Sequence, residues 1–115
     1  MDHKDLDVWK KGMDLVEAIY IFTQTFPVEE TYGLSSQMRR AAISIPSNIA
    51  EGSARKGDKE LIQFLNIAIG SVAELETQYL IVIRLALANK NDNLEQLLLE
   101  VKKLLLGYRN YVRNK

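Results

Sequence analysis

Cysteine is absent from this chain, which removes disulfide scaffolds, thiolate zinc sites and sulfur redox chemistry together and is compatible with a reducing compartment. Histidine occurs once, as His3, ahead of the first periodic segment. A Ser-His-Asp or Cys-His centre inside the fold therefore has no base, and a bundle di-iron site lacks its two Glu-x-x-His pairs. Gly33, Gly52 and Gly57 are scattered, and none opens a Gly-Lys-Ser/Thr phosphate loop. The longest uncharged stretch, Leu61 to Ala73, is 13 residues, short of the roughly 18 or more that a membrane span needs. Met1 to Lys11 carries Asp2, Asp5 and Asp7 and no apolar centre, unlike a secretory signal. These absences predict a soluble, cytoplasmic protein with no membrane contact, no cofactor and no metal. Carboxylates are the last catalytic possibility, but Glu74 and Glu76 flank Leu75 and point about 200° apart on a helix. No enzyme is expected.

What the sequence does contain is apolar periodicity. At 115 residues with 47% apolar and 26% charged side chains, the chain reads as one domain over 1–115, able to bury on the order of 65% of its unfolded surface. No stretch alternates in the manner of a strand, so the class is all-α. Leu6, Trp9, Met13, Val16, Tyr20 and Thr23 step by three and four, the spacing of one helical stripe. Leu15, Ile19, Phe22 and Phe26 form a second line beside it, and Pro27 stops the helix. The first helix is placed at about 5–25. In the second, about 32–54, Leu34, Met38, Ala41, Ile45, Asn48 and Gly52 keep the same rhythm through Pro46. That proline removes a backbone donor and crowds the carbonyl four residues earlier, so the helix is expected to kink there, with water or a neighbouring side chain meeting the Ala42 carbonyl.

The third segment is the most regular. Leu61, Leu65, Ala68, Val72, Leu75, Tyr79, Val82 and Ala86 follow without a break, and a helix over about 58–88 is expected, capped by Asp58 and stopped near Asn89. Ile62, Ile69 and Ile83 form a further line, with Ile67 and Ile81 on another face, which implies burial on more than one side. The fourth segment, about 92–113, carries Leu94, Leu97, Leu98, Val101, Leu104, Leu105, Tyr108, Tyr111 and Val112, with Asn91, Asp92 or Asn93 as its cap. Four such helices on short turns predict an up-down-up-down four-helix bundle. Ile62, Ile69, Ile83, Leu99 and Leu106 exceed what such a core requires. They are either a wide core stripe or the interface of a homo-oligomer.

Lys plus Arg equals Asp plus Glu at 15 each, which excludes a uniformly basic chain, yet the balance is uneven along the sequence. Residues 1–30 hold 7 acids against 3 bases, whereas 31–60 and 91–115 each hold 5 bases against 3 acids. The predicted topology gathers Arg55, Lys56 and Lys59 with Arg109, Arg113 and Lys115 at one end. Six cations there are a candidate contact for RNA or DNA phosphates, although cations also suit any helix C-terminus. Tyr108 and Tyr111 lie near enough to stack on bases, with core packing as their ordinary role. Arg39 and Arg40 point about 100° apart, so that one faces solvent or a neighbouring subunit while the other pairs with Glu29 or Glu30. Glu74 with Gln78, or Glu51 near Asn48, are expected to form buried polar contacts across the bundle, a structural rather than a catalytic role.

The stretch from Tyr32 to Gly52, Tyr-Gly-Leu-Ser-Ser-Gln-Met-Arg-Arg-Ala-Ala-Ile-Ser-Ile-Pro-Ser-Asn-Ile-Ala-Glu-Gly, resembles the signature of the bacterial four-helix bundle family encoded in intervening sequences of 23S ribosomal RNA genes. Leu6 to Lys10, the Phe26-Pro27 turn and Glu60 to Glu76 also resemble it. Members of that family are similar to the accessory protein of diversity-generating retroelements, a homopentameric bundle with a basic surface that binds nucleic acid and a reverse transcriptase. The resemblance thus implies a homo-oligomer, most simply a pentamer, and an RNA-associated role. It leaves open a protein-interaction adaptor or a structural assembly, either one without any nucleic-acid affinity.

Overall fold

In a computed structural model, which describes residues 2–115, the chain forms four helices: α1 (Asp7–Thr23), α2 (Leu34–Ser53), α3 (Asp58–Arg84) and α4 (Asp92–Arg113). Single 3-10 turns at His3–Asp5 and Val28–Glu30 precede α1 and α2. Each helix packs on its sequence neighbours, α4 closes against α1, and the diagonal pairs stay apart. The result is the all-α up-down-up-down bundle. Its 45 Å long dimension is set by α3, whose 27 residues span about 40 Å.

The core follows the apolar lines. Leu61, Leu65, Ala68, Val72, Leu75, Tyr79 and Val82 are all buried along α3, facing Met38, Ala41, Ile45 and Ile49 of α2 and Leu94, Leu98, Val101 and Leu105 of α4. In α1 the two expected lines change rank. Val8, Leu15, Ile19 and Phe22 form the core, whereas Met13 and Tyr20 are exposed at its edge. The buried arc of α1 lies between its two neighbouring helices, α2 and α4, and Tyr20 overhangs the groove towards α2, where it meets Arg39.

Helix ends differ from the sequence expectations for local reasons. The first helix begins at Asp7, not residue 5, because Asp2 caps a separate 3-10 turn by accepting from the Lys4 amide at 2.9 Å. It ends at Thr23, whose hydroxyl donates to the Ile19 carbonyl at 2.8 Å, and Phe26 folds back into the core. The second helix starts at Leu34 after Gly33 and ends at Ser53. Gly57, not Asp58, precedes α3, and no side chain among the described residues caps that helix. Asn91 caps α4, accepting from the Leu94 amide at 2.9 Å.

The largest shift is at the end of α3, expected near residue 88 and found at Arg84. Ala86 takes φ 55°. Its amide donates to the Ile83 carbonyl at 3.1 Å, and that of Leu87 to Val82 at 3.0 Å. This is a Schellman stop, built here on an alanine where glycine is usual.

Two interhelical contacts set the closeness of packing. Pro46 lies within α2, buried, with its ring over Gly12 of α1, where an added Cβ would sit at an ordinary 3.6 Å. No side chain among the described residues donates to the Ala42 carbonyl that Pro46 leaves open. At Gly52 an added Cβ would lie 2.9 Å from both Leu61 Cδ1 and Phe64 Cβ and 3.3 Å from the Leu61 carbonyl oxygen. There α2 and α3 meet almost backbone to backbone.

Candidate nucleic-acid interface

The chain reverses at Gly52 and Gly57 between α2 and α3, and this turn shares one end of the bundle with the C-terminus of α4. Arg55, Lys56 and Lys115 line a single cavity of about 250 Å³ together with Asp58, Tyr108 and Leu6. Arg55 lies 4.8 Å from the centre of the Phe64 ring, and its Nε is 4.0 Å from Glu60 Oε2. Lys115 Nζ is 3.6 Å from Asp58 Oδ1 and 5.7 Å from the Tyr111 ring. These are long, solvent-exposed pairs of the kind that contribute little to stability. Lys56, Lys59 and Arg113 are exposed and have no carboxylate partner among the described residues. Burial pushes the Tyr108 hydroxyl above its usual pKa, opposed by the nearby Lys115 charge, so it stays a neutral phenol in the wall of the cavity.

Arg109 stands apart from the other five cations. Its Nη1 donates to Asn66 Oδ1 of α3 at 3.1 Å, and its Nε is shielded with no partner among the described residues, so it belongs to the α3–α4 seam. Sequence reasoning also missed a contribution from the chain's start. Because α1 begins where α2 finishes, Leu6 reaches the same cavity as Arg55 and Lys56, and Asp2, Asp5 and Asp7 come to this end with it. The predicted topology already contained that signal. The basic end is therefore a mixed surface, cationic on the α2–α3 turn and the α4 terminus and acidic beside α1.

The apolar residues in excess of the core fall along one seam. Ile62, Ile69, Glu76 and Ile83 are spaced by seven along α3, and Glu76 Oε1 meets Lys102 Nζ of α4 at 3.5 Å. Leu99 and Leu106 flank Lys102 on the facing helix. Ile62, Ile69 and Ile83 are half-buried against the core and Leu106 is half-buried, whereas Leu99 is 40% exposed. A cavity of about 370 Å³ opens in this seam between Leu80, Ile83, Leu98 and Leu99, closed at one side by Lys90 and Glu95.

Polar contacts elsewhere are mostly structural. Gln78 Nε2 donates to Glu74 Oε2 at 3.3 Å, along one helix and not across the bundle because Glu74 is exposed on the outer face of α3, and Gln78 Oε1 is buried without a donor among the described residues. Asn48 bonds the Ser44 carbonyl at 2.7 Å, not Glu51, and Ser44 bonds Ser71 of α3 at 2.8 Å. Arg39 does not pair with Glu29 or Glu30. Its Nε donates to Thr23 Oγ1 at 2.9 Å and its guanidinium stacks 4.5 Å from the Tyr20 ring, because Arg39 lies on the α1 side of α2, beside the end of α1. Arg40 is exposed.

Among the described residues, no group of three or more His, Asp or Glu side chains is placed to hold a metal ion, and no helix is long and apolar enough to cross a membrane. No curated protein matches the chain. A family model does, described as 23S rRNA-intervening sequence protein and matching residues 4–107. That span takes in all of α1, α2 and α3 and most of α4, and with them Arg55 and Lys56 of the α2–α3 turn and Lys59 at the start of α3. The chain belongs to the 23S rRNA-intervening sequence protein family.

Proposed function

We propose that this chain is a non-enzymatic, homo-oligomeric protein of the cytoplasm that binds nucleic acid, RNA foremost, through the bundle end carrying the α2–α3 turn. The supporting observation is that Arg55, Lys56 and Lys115 surround one cavity while Lys59 and Arg113 beside them have no carboxylate partner among the described residues. None of these cations is held by a short, buried ion pair, so each is free to displace counterions from a phosphate. A single end of this kind binds weakly, because the chain is neutral overall. A ring of copies, the pentamer that the family resemblance favours, multiplies the contact by raising the effective concentration of each further cationic end.

Filter binding to a structured RNA over a series of salt concentrations tests the reading. Affinity is expected to fall linearly on logarithmic axes. Neutralising Arg55, Lys56 and Lys59 to Gln is expected to flatten the slope by about 2 to 3, since each phosphate that a cation neutralises adds roughly 0.7 to 0.9 to it. Affinity that ignores salt, or that survives the triple substitution, overturns it. A second reading, an adaptor for another protein, draws on Asp2, Asp5 and Asp7 reaching the same end and weakening its positive field. Under that reading a partner co-purified from the native host stays bound after nuclease treatment.

A further inference from the structure

Arg39 differs from Arg55, Lys56, Lys59, Arg113 and Lys115, the exposed cations of the basic end. It is half-buried, its Nε donates to Thr23 Oγ1 at 2.9 Å and its plane lies against Tyr20. The Thr23 proton is itself given to the Ile19 carbonyl at 2.8 Å, so the hydroxyl accepts from Arg39 and the guanidinium is held from two sides. Among the described residues no carboxylate pairs with it. Its two Nη groups remain as a fixed fork whose geometry suits a carboxylate, and an anion arriving there has little side-chain entropy left to overcome. Around this fork stand Tyr20 and, one turn along α2, Ile43, both exposed. Phosphate backbones are met by several cations together, whereas one Arg framed by aromatic and aliphatic side chains is the composition of a protein contact.

The reciprocal pattern lies on the outer face of α3. Ile67, Gly70, Glu74, Thr77 and Ile81 step by three and four along one exposed stripe, and Glu74 is its only charge. The Glu74 carboxylate accepts from Gln78 and has no cation partner among the described residues. At Gly70 nothing lies within 4 Å of an added Cβ, so the stripe has a shallow gap open to an incoming side chain. The α1–α2 groove and the outer face of α3 look in different directions from the bundle. A contact between them is heterologous and repeats from copy to copy, closing a ring where the rotation allows.

We propose that Arg39 of one copy binds the Glu74 carboxylate of the next copy, with Tyr20 and Ile43 packed over the α3 stripe at Gly70. This rests on the homo-oligomeric reading above and names its interface. Gel filtration with light scattering over a concentration series tests it on the full chain, with circular dichroism confirming the helices. The unsubstituted protein is expected to show a multiple of 13.1 kDa. Arg39→Glu, Glu74→Arg and Gly70→Lys are each expected to raise the dissociation constant by at least about 30-fold, and the double swap Arg39→Glu with Glu74→Arg to restore most of the affinity. Glu74 and Gly70 face open solvent within the chain, so their variants keep the fold even where Arg39→Glu does not. Folded Glu74→Arg and Gly70→Lys proteins that keep the unsubstituted mass overturn this contact and leave the homo-oligomer standing. A mass of 13.1 kDa for the unsubstituted protein at every concentration overturns the homo-oligomer, and this contact with it.

Discussion

The two ends of the bundle are closed by different physics. At the end of the α3–α4 turn, Tyr79 donates to Glu95 Oε2 at 2.6 Å and accepts from the Asn91 amide at 2.9 Å. Lys90 bonds both Asp92 and Glu95, and Asn91 caps α4. Lys90, Asp92 and Glu95 are all committed to holding the turn. At the other end the α2–α3 turn has no side-chain cap, and its ion pairs are long and exposed. What holds it is steric, the close approach of α2 and α3 at Gly52. The lesson is that charge left out of the structural network is charge available for a partner, and the α2–α3 turn has this property whereas the Lys90–Glu95 turn does not.

The largest test of that difference is Gly52→Ala. The methyl would press on Phe64 Cβ, which cannot swing away from its own backbone, and on the Leu61 carbonyl. The two helices must then separate at their closest point, at a cost of about 2 kcal/mol, within the usual range for overpacking. Gly12→Ala is the matched control. Its methyl meets Pro46 and Ile45 at ordinary contact distance, and the gain in helix propensity offsets any crowding. Urea unfolding followed by circular dichroism compares them, and equal midpoints for the two variants would break the claim that the basic end is held sterically.

Much of the fold was legible in the sequence because helix–helix packing repeats with the helix. The α3 line from Leu61 to Val82 is read by spacing alone and is buried throughout. Helix ends were less legible, since each depends on one backbone conformation. Ala86 gives no signal that it will turn left-handed, and the α3 pattern runs on through it. In α1 two equivalent apolar lines were visible, but their rank depends on which helices flank α1, a tertiary fact. The basic end was half legible. Counting charges along the chain found Arg55, Lys56 and Lys115, while the arrival of Asp2, Asp5 and Asp7 follows only from tracing α1 back to its start. Arg39 was the least legible, because its partners Thr23 and Tyr20 are neither acidic nor near in sequence.

Tyr79→Phe tests the opposite end. It removes the donor to Glu95 and leaves the Asn91 amide without its acceptor, an expected loss of about 1 to 1.5 kcal/mol at pH 7. The loss depends on pH in a defined sense. The Tyr79 hydroxyl, and then the Lys90 ammonium, hold the Glu95 carboxyl below its usual value of 4.5. A carboxylate with a depressed folded pKa contributes stability that is present above the unfolded value and lost as pH falls through the folded one. The gap between Tyr79→Phe and the unsubstituted protein is therefore expected to narrow as pH drops below about 4.5. Urea midpoints at pH 7 and pH 3 measure it, and a constant gap would mean that the network is not electrostatic.

The smallest expected effect is a gain. Ala86 holds φ 55° at the position where the Schellman stop of α3 ordinarily uses glycine. An L residue in that conformation costs roughly 1 to 2 kcal/mol, and replacing it by glycine returns part of that while adding backbone entropy to the unfolded chain. Ala86→Gly is thus expected to stabilise the protein by about 0.5 to 1 kcal/mol. The amide bonds of Ala86 and Leu87 to Ile83 and Val82 make no use of the methyl, so they survive the change. A thermal midpoint that rises by a few degrees supports a stop imposed by the packing of Leu87 onto the core in spite of the residue before it. A midpoint that falls would show that the alanine methyl itself packs in the turn, and would make this end of the bundle as sterically fixed as Gly52 makes the other.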